Sequence, residues 1–153
     1  MDFEIYMKKI LVFTVIFLLS SPLMAGCLKK DDGNEGNTNP SSISWLNYQE
    51  GMQKAKNWGR PIMIDFYADW CGPCRMMDEY TYTDNNVIEK INENFVAVKV
   101  NVDQEQNLAY YYSIYSIPTI VYLSSDGKEV YRTVGYRSTS QIILDMNTAL
   151  SKV

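Results

Sequence analysis

Residues 64–77 read IDFYADWCGPCRMM, with Cys71 and Cys74 separated only by Gly72 and Pro73. The stretch IMIDFYA (Ile62 to Ala68) is apolar on both faces except at Asp65. That pattern predicts a central strand covered from both sides. Cys71 then falls at a strand–helix junction, and a helix is predicted from about Cys71 to Tyr80. Pro73 suits the first turn of that helix, where its missing N–H costs nothing.

A helix start favours a thiolate over a thiol, because the dipole and the unpaired N–H groups face the sulfur. The thiolate is the attacking species in thiol–disulfide exchange. On this reading Cys71 is the exposed attacker, and Cys74, one turn further in, is the shielded resolver. Two other uses of the pair stay open from spacing alone. A closed zinc site takes about four Cys or His ligands. The chain has no histidine and one other cysteine, Cys27, so no metal is expected. A structural disulfide would close a very short loop, which restrains the unfolded chain least.

Asp65 carries two readings as well. It is a strand-edge carboxylate that reaches water, or a desolvated acid whose pKa is raised by burial.

Working outward, Trp45, Tyr48, Met52 and Ala55 recur at helical spacing and predict a helix over Ser44 to Asn57. Gly59, Arg60 and Pro61 end it. A further helix is predicted over Asp84 to Asn94, with Val87, Ile88 and Ile91 on one side. FVAVKVNV (Phe95 to Val102) reads as a second buried strand. Glu105 to Tyr112 is a short helix candidate. Thr119 to Leu123 and Glu129 to Val134 read as strands, joined by the turn residues Ser125, Asp126, Gly127 and Lys128. Ser138 and Gln141 have capping-box spacing before a last helix, whose core face is Ile142, Ile143, Met146, Ala149 and Leu150. The order α-β-α-α-β-α-β-β-α predicts an α/β domain over residues 43–153, a mixed central sheet with helices on both faces.

The N-terminus reads as an address. Lys8 and Lys9 precede an apolar run from Ile10 to Leu19, as in a secretory leader. Leu23, Met24, Ala25 and Gly26 stand before Cys27. This resembles a lipoprotein signal over residues 1–26, with Met24 where leucine is commonest and Cys27 as the lipid attachment site. Translation starts at Met1 or Met7. An uncleaved anchor and a soluble secreted product are the alternatives. Each puts the remainder outside the cytoplasm, on the outer face of the cell membrane for the two anchored forms. Residues 27–42 read as a flexible tether, because Lys29 to Ser42 contains no apolar side chain.

The chain has a formal charge of −4, and the 10 basic and 13 acidic residues from Ile43 onward leave about −3 on the domain. Nucleic acid is therefore not an expected partner, since phosphate binding needs a basic face. Twelve tyrosines are many for this length, and Tyr110, Tyr111 and Tyr112 are consecutive, so they cannot all face one core. Half-buried tyrosines on an amphipathic surface are expected, with a binding surface as the other reading.

FYADWCGPC resembles the active-site signature of the thioredoxin superfamily, and the likeness runs from about Ile43 to Val153. It implies the thioredoxin-like fold and a redox-active Cys71–Cys74 disulfide. SIPTIVYL is similar to the family's cis-proline segment, which makes Ile117–Pro118 the expected cis bond. The resemblance implies that Trp70, Gly72, Pro73, Ile117, Pro118 and Thr119 meet the substrate chain. Trp70 is otherwise a partly exposed aromatic. Asp65 matches the family's buried aspartate, which assists proton transfer at the resolving cysteine. Lys99 matches the lysine beside it, although a strand lysine also snorkels outward without a role. Gly135 matches the family's glycine in the last hairpin. The insert EYTYTDNNVIEKINENF is similar to the C-terminal domains of transmembrane disulfide-interchange reductases of the DsbD type. Their electron-conducting membrane domain has no counterpart here.

The resemblance implies a membrane-tethered thiol–disulfide oxidoreductase that needs no cofactor. Gly-Pro between the cysteines, with no histidine there, is more like reductases than oxidants. The expected partners are envelope proteins bearing disulfides, a membrane thiol–disulfide electron donor, and the bilayer through the anchor. An envelope oxidase or isomerase, and a non-catalytic binding or assembly module, are the alternatives.

Overall fold

A computed structural model describes residues 41–153. The expected leader, the Cys27 attachment site and nearly all of the tether lie outside the described residues.

The described residues open outside any helix. Leu46 N–H donates to Ala97 O and Lys99 N–H donates to Leu46 O, so this segment runs alongside the second strand. The expected helix from Ser44 therefore starts later, as α1 at Tyr48–Trp58. Asn47 sets that start: its side chain accepts from Glu50 N–H at 2.9 Å and supplies the cap that Ser44 does not. Gly59, at φ 63°, closes α1 in the left-handed conformation that favours glycine.

Strand β1 is Ile62–Tyr67. After it come α2 (Gly72–Met76) and one π-helical turn, Met77–Thr81. The continuous helix expected to Tyr80 is thus two pieces. Next are α3 (Asn85–Asn94), capped by the Asp84 carboxylate, and β2 (Val96–Asn101). Then follow α4 (Gln106–Tyr111), β3 (Thr119–Leu123), β4 (Glu129–Val134) and α5 (Thr139–Leu150). At the start of α5, Ser138 N–H donates to Gln141 Oε1 at 3.0 Å.

The sheet order is β2-β1-β3-β4, with β1 parallel to β2 and antiparallel to β3. The mixed sheet and the central place of β1 are as the sequence implied. Strand alternation sorts the core into two layers. Ile62, Ile64 and Phe66 point to one side and pack with Ala55, Val98 and Tyr112. Met63 points to the other side and packs with Met77, Tyr82, Ile91 and Met146. Helices cover both layers.

The tyrosine run divides at the end of α4, as helix geometry demands. Tyr112 is buried, and its hydroxyl is 2.9 Å from that of Tyr48. Tyr110 and Tyr111 are exposed. Among the described residues no helix is long and apolar enough to cross a membrane.

Candidate active site

The cysteine pair lies just beyond the C-terminal end of β1. Cys71 caps α2 and Cys74 sits inside its first turn. The two are joined as a disulfide with Cα atoms 5.3 Å apart. Cys71 Sγ accepts from Cys74 N–H at 3.2 Å, so a backbone donor already faces the sulfur expected to carry negative charge. Ala68, Tyr67, Val102 and Ile117 pack around the pair.

One expectation changes here. Cys71 was read as exposed and Cys74 as shielded, but both are 3% exposed.

Pro118 follows a cis bond to Ile117, as the sequence likeness implied. Ile117 packs against the cysteine pair. Thr119 is buried and donates its hydroxyl to Ser116 O at 2.7 Å. Its side chain is therefore committed to the loop, and the residue itself is paired with Phe66 on β1 and Val134 on β4. Pro118 O accepts from Gly135 N–H at 2.7 Å, and Gly135 has φ 88°. Trp70 is 66% exposed and donates its indole N–H to Asp103 Oδ2 at 2.8 Å. Trp70, Val102, Ile114, Tyr115, Ser116 and Ile117 line an open cleft of about 350 Å³ beside the disulfide. Gly72 and Pro73 sit between the cysteines at the start of α2, with Pro73 in its first turn.

Asp65 settles its own question. It lies on the central strand at 2% exposure, so the water-reaching reading fails. Burial raises its pKa from 3.8 to about 7, against the opposing pull of the Lys99 cation. Lys99 is its register partner on β2. The lysine does not simply snorkel outward. Its ammonium pairs with Asp78, and lies 4.6 Å from the Tyr67 ring centroid and 5.4 Å from that of Trp45. The Asp78 charge adds to the rise at Asp65. The buried Tyr82 phenol sits near enough to pull the Asp65 pKa back down. Neither Asp65 Oδ1 nor Tyr82 Oη makes a hydrogen bond of normal geometry, so that contact is longer or less aligned than a full bond.

Sequence reasoning missed Asp78, Tyr82 and Asp103. Asp78 lies within the π-helical turn Met77–Thr81, and Tyr82, in the insert, directly follows that turn. Asp103 lies 33 residues from Trp70. No local spacing marks such pairs. Among the described residues no cluster of His, Cys, Asp and Glu is arranged to hold a metal ion.

The comparisons agree with this geometry. A family model described as a thioredoxin-like domain matches residues 48–148. The chain is 26% identical over 140 residues to a thiol:disulfide interchange protein DsbD of Yersinia pestis, a match spanning 84% of this chain and 24% of that protein. It thus spans about a quarter of that relative's length. It is 39% identical over 90 residues to a thioredoxin H-type of Fagopyrum esculentum, covering 59% of this chain and 73% of the plant protein. The solution structure of a thioredoxin from Thermus thermophilus superposes with a TM-score of 0.67 at 28% identity, covering 72% of this chain and 89% of that one. Fold, cysteine pair and sequence together place the chain in the thioredoxin-like family, among members that carry the paired cysteines of thiol–disulfide oxidoreductases.

Proposed function

We propose that this thioredoxin-like oxidoreductase reduces protein disulfides on the outer side of a cell membrane, to which Cys27 tethers it through a lipid. The observation that carries the reading is the joined Cys71–Cys74 pair at the end of β1, backed by the buried carboxyl of Asp65.

In the reduced protein the Cys71 thiolate attacks one sulfur of a client disulfide. A Cys71–client bond forms, the client S–S bond breaks, and the second client sulfur leaves as a thiolate and takes a proton. Cys74 gives its proton to ionised Asp65 and attacks Cys71 Sγ. The Cys71–Cys74 bond forms, and the first client sulfur leaves and is protonated. The client gains two electrons and two protons, and the protein becomes the disulfide seen here. Lys99 steadies the charged form of Asp65. Trp70 and the loop Ile117–Pro118–Thr119 position the client chain beside Cys71.

The reduced form must then be restored. The reading implies a membrane thiol–disulfide protein whose part outside the bilayer delivers electrons to Cys71–Cys74. The direction rests on Gly72 and Pro73 between the cysteines and on the likeness to disulfide-interchange proteins.

Insulin reduction with dithiothreitol tests the activity. The intact protein is expected to accelerate precipitation and Cys71→Ser to abolish the effect. Cys74→Ser is expected to trap mixed disulfides with envelope proteins. No acceleration and no trapping would favour a binding module. A reduction potential of about −120 mV, the strong-oxidant end of the known range, would reverse the direction.

A further inference from the structure

We infer that the end of the sheet opposite the disulfide docks on an anionic lipid surface through Trp58, Lys54 and Lys56, and so holds Cys71 facing away from the membrane. This rests on the tethered reading above and adds an orientation to it.

The first support is where the chain enters the domain. Asn92 Nδ2 donates to Ser42 O at 2.9 Å, and Ser44 N–H donates to Asn92 Oδ1 at 3.1 Å. These bonds pin the entering segment to the last turn of α3, beside the start of β2. Cys71 lies past the other end of the parallel strand β1. A strand of six residues spans about 20 Å. Ser42 and the disulfide thus lie at opposite ends of the sheet.

The second support is what surrounds the entering chain. Trp58 closes α1 at 57% exposure, a large aromatic that the core does not use. Lys54 Nζ stands 4.4 Å from its ring centroid, and Arg60 Cζ stands 5.7 Å from it. Ser44, Lys54, Trp58, Arg60 and Asn92 share one open cavity of about 230 Å³. An indole flanked by cations is the side-chain set enriched at the boundary between lipid and water.

Charge chooses the lipid. Arg60 is committed to the α3 carbonyls Asn92 O and Glu93 O, so it seals the helix end. Lys54 and Lys56 are the cations left to meet a headgroup, with exposed Glu93 as the nearby acid. The domain as a whole is acidic, and beside Trp70 stand Asp69 and Asp103. A negative surface therefore attracts the tethered end and repels the redox end. The contact need not be strong. On the tethered reading, 14 linking residues of Gly/Ser-like composition would give a root-mean-square reach of about 20 Å, which keeps the face at high effective concentration near the bilayer.

The test uses the full chain, purified from membranes and reconstituted in vesicles of phosphatidylcholine alone or mixed with phosphatidylglycerol. Each set contains a lipid with a nitroxide on its headgroup, which quenches nearby tryptophan fluorescence. Flotation is measured in parallel. The protein is expected to float with both lipids and to show stronger quenching in the anionic one. Trp58→Phe is expected to remove most of the quenching and Trp70→Phe to leave it. Lys54→Glu with Lys56→Glu is expected to erase the difference between lipids. Failure to float overturns the tether, and this proposal with it. Flotation with no quenching, or with Trp70 as the quenched residue, overturns the docking alone. Quenching indifferent to lipid charge and to the lysine variants also overturns it.

Discussion

Asp65 and Lys99 oppose each other across the β1–β2 ladder, yet the Lys99 ammonium is paired with Asp78 and not with Asp65. The acid is left with a buried oxygen that has no hydrogen-bond partner. One cation thus serves two carboxylates, the exposed one more closely than the buried one. This explains why desolvation outweighs the neighbouring charge at Asp65.

That balance predicts how stability depends on pH. In the disulfide form the folded Asp65 holds its proton up to about pH 7, whereas the unfolded one loses it near 3.8. Between these values the native state binds the extra proton. The contribution of Asp65 is therefore fully present below about 3.8, is lost as pH rises to about 7, and stays flat above. The full span corresponds to about 4 kcal/mol as an upper figure. Asp65→Asn should remove this slope and raise stability at alkaline pH. Denaturant midpoints of both proteins at about pH 4 and about pH 9 check it. Equal slopes in the two would show that Asp65 is not desolvated.

The same acid predicts a rate profile. On the proposed mechanism Asp65 takes the Cys74 proton only when ionised, so resolution of the mixed disulfide should quicken as pH rises through about 7. Asp65→Asn should slow turnover by about 10² and flatten the profile, since positioned general bases contribute about that much. Stopped-flow release of a client from a preformed Cys71 mixed disulfide isolates the step. An unchanged profile in the variant would remove Asp65 from the mechanism.

Two neighbours should move the Asp65 titration in opposite directions. Tyr82 lowers it, so Tyr82→Phe should shift the midpoint upward. Asp78 raises it, so Asp78→Asn should shift the midpoint downward, helped by a Lys99 no longer held aside. The Tyr82 ring keeps its edge contact with Trp45, 5.1 Å between centroids, so the phenylalanine variant retains the packing. Carboxyl carbon NMR of Asp65 reads both shifts. Movement in the same direction would refute the assignment of signs.

The sequence made the cysteine pair, the buried strand and the anomaly at Asp65 legible because each is local. Apolar residues on both faces of Ile62 to Ala68 have one stable home, the middle of a sheet. The likeness of SIPTIVYL to a cis-proline segment located Pro118. What stayed hidden depends on long-range pairing or on small shifts in helix register. Ser44 to Asn47 has helical spacing, but Leu46 finds better hydrogen bonds on β2. The π-helical turn at Met77–Thr81 has no sequence signature, yet it decides that Asp78 reaches Lys99. The equal burial of both cysteines follows from the side chains packed around them, Ala68, Tyr67, Val102 and Ile117, which come from three separate stretches of the chain.

Packing of α1 on the sheet supplies the last prediction. Gly51 lies against β2 so closely that a Cβ there would stand 2.2 Å from Val98 Cγ2. Val98 is fully buried, and a β-branched side chain has few rotamers to retreat into. Helix propensity alone would make Gly51→Ala stabilising by about 1 kcal/mol. The clash must reverse that sign. Gly51→Ala should destabilise the fold by about 1–3 kcal/mol, as overpacked cores do. Gln53→Ala, on the exposed face of the same helix, should be near neutral. Thermal unfolding of the two variants beside the parent decides it, and a Gly51→Ala protein as stable as the parent would mean that α1 does not pack at this distance.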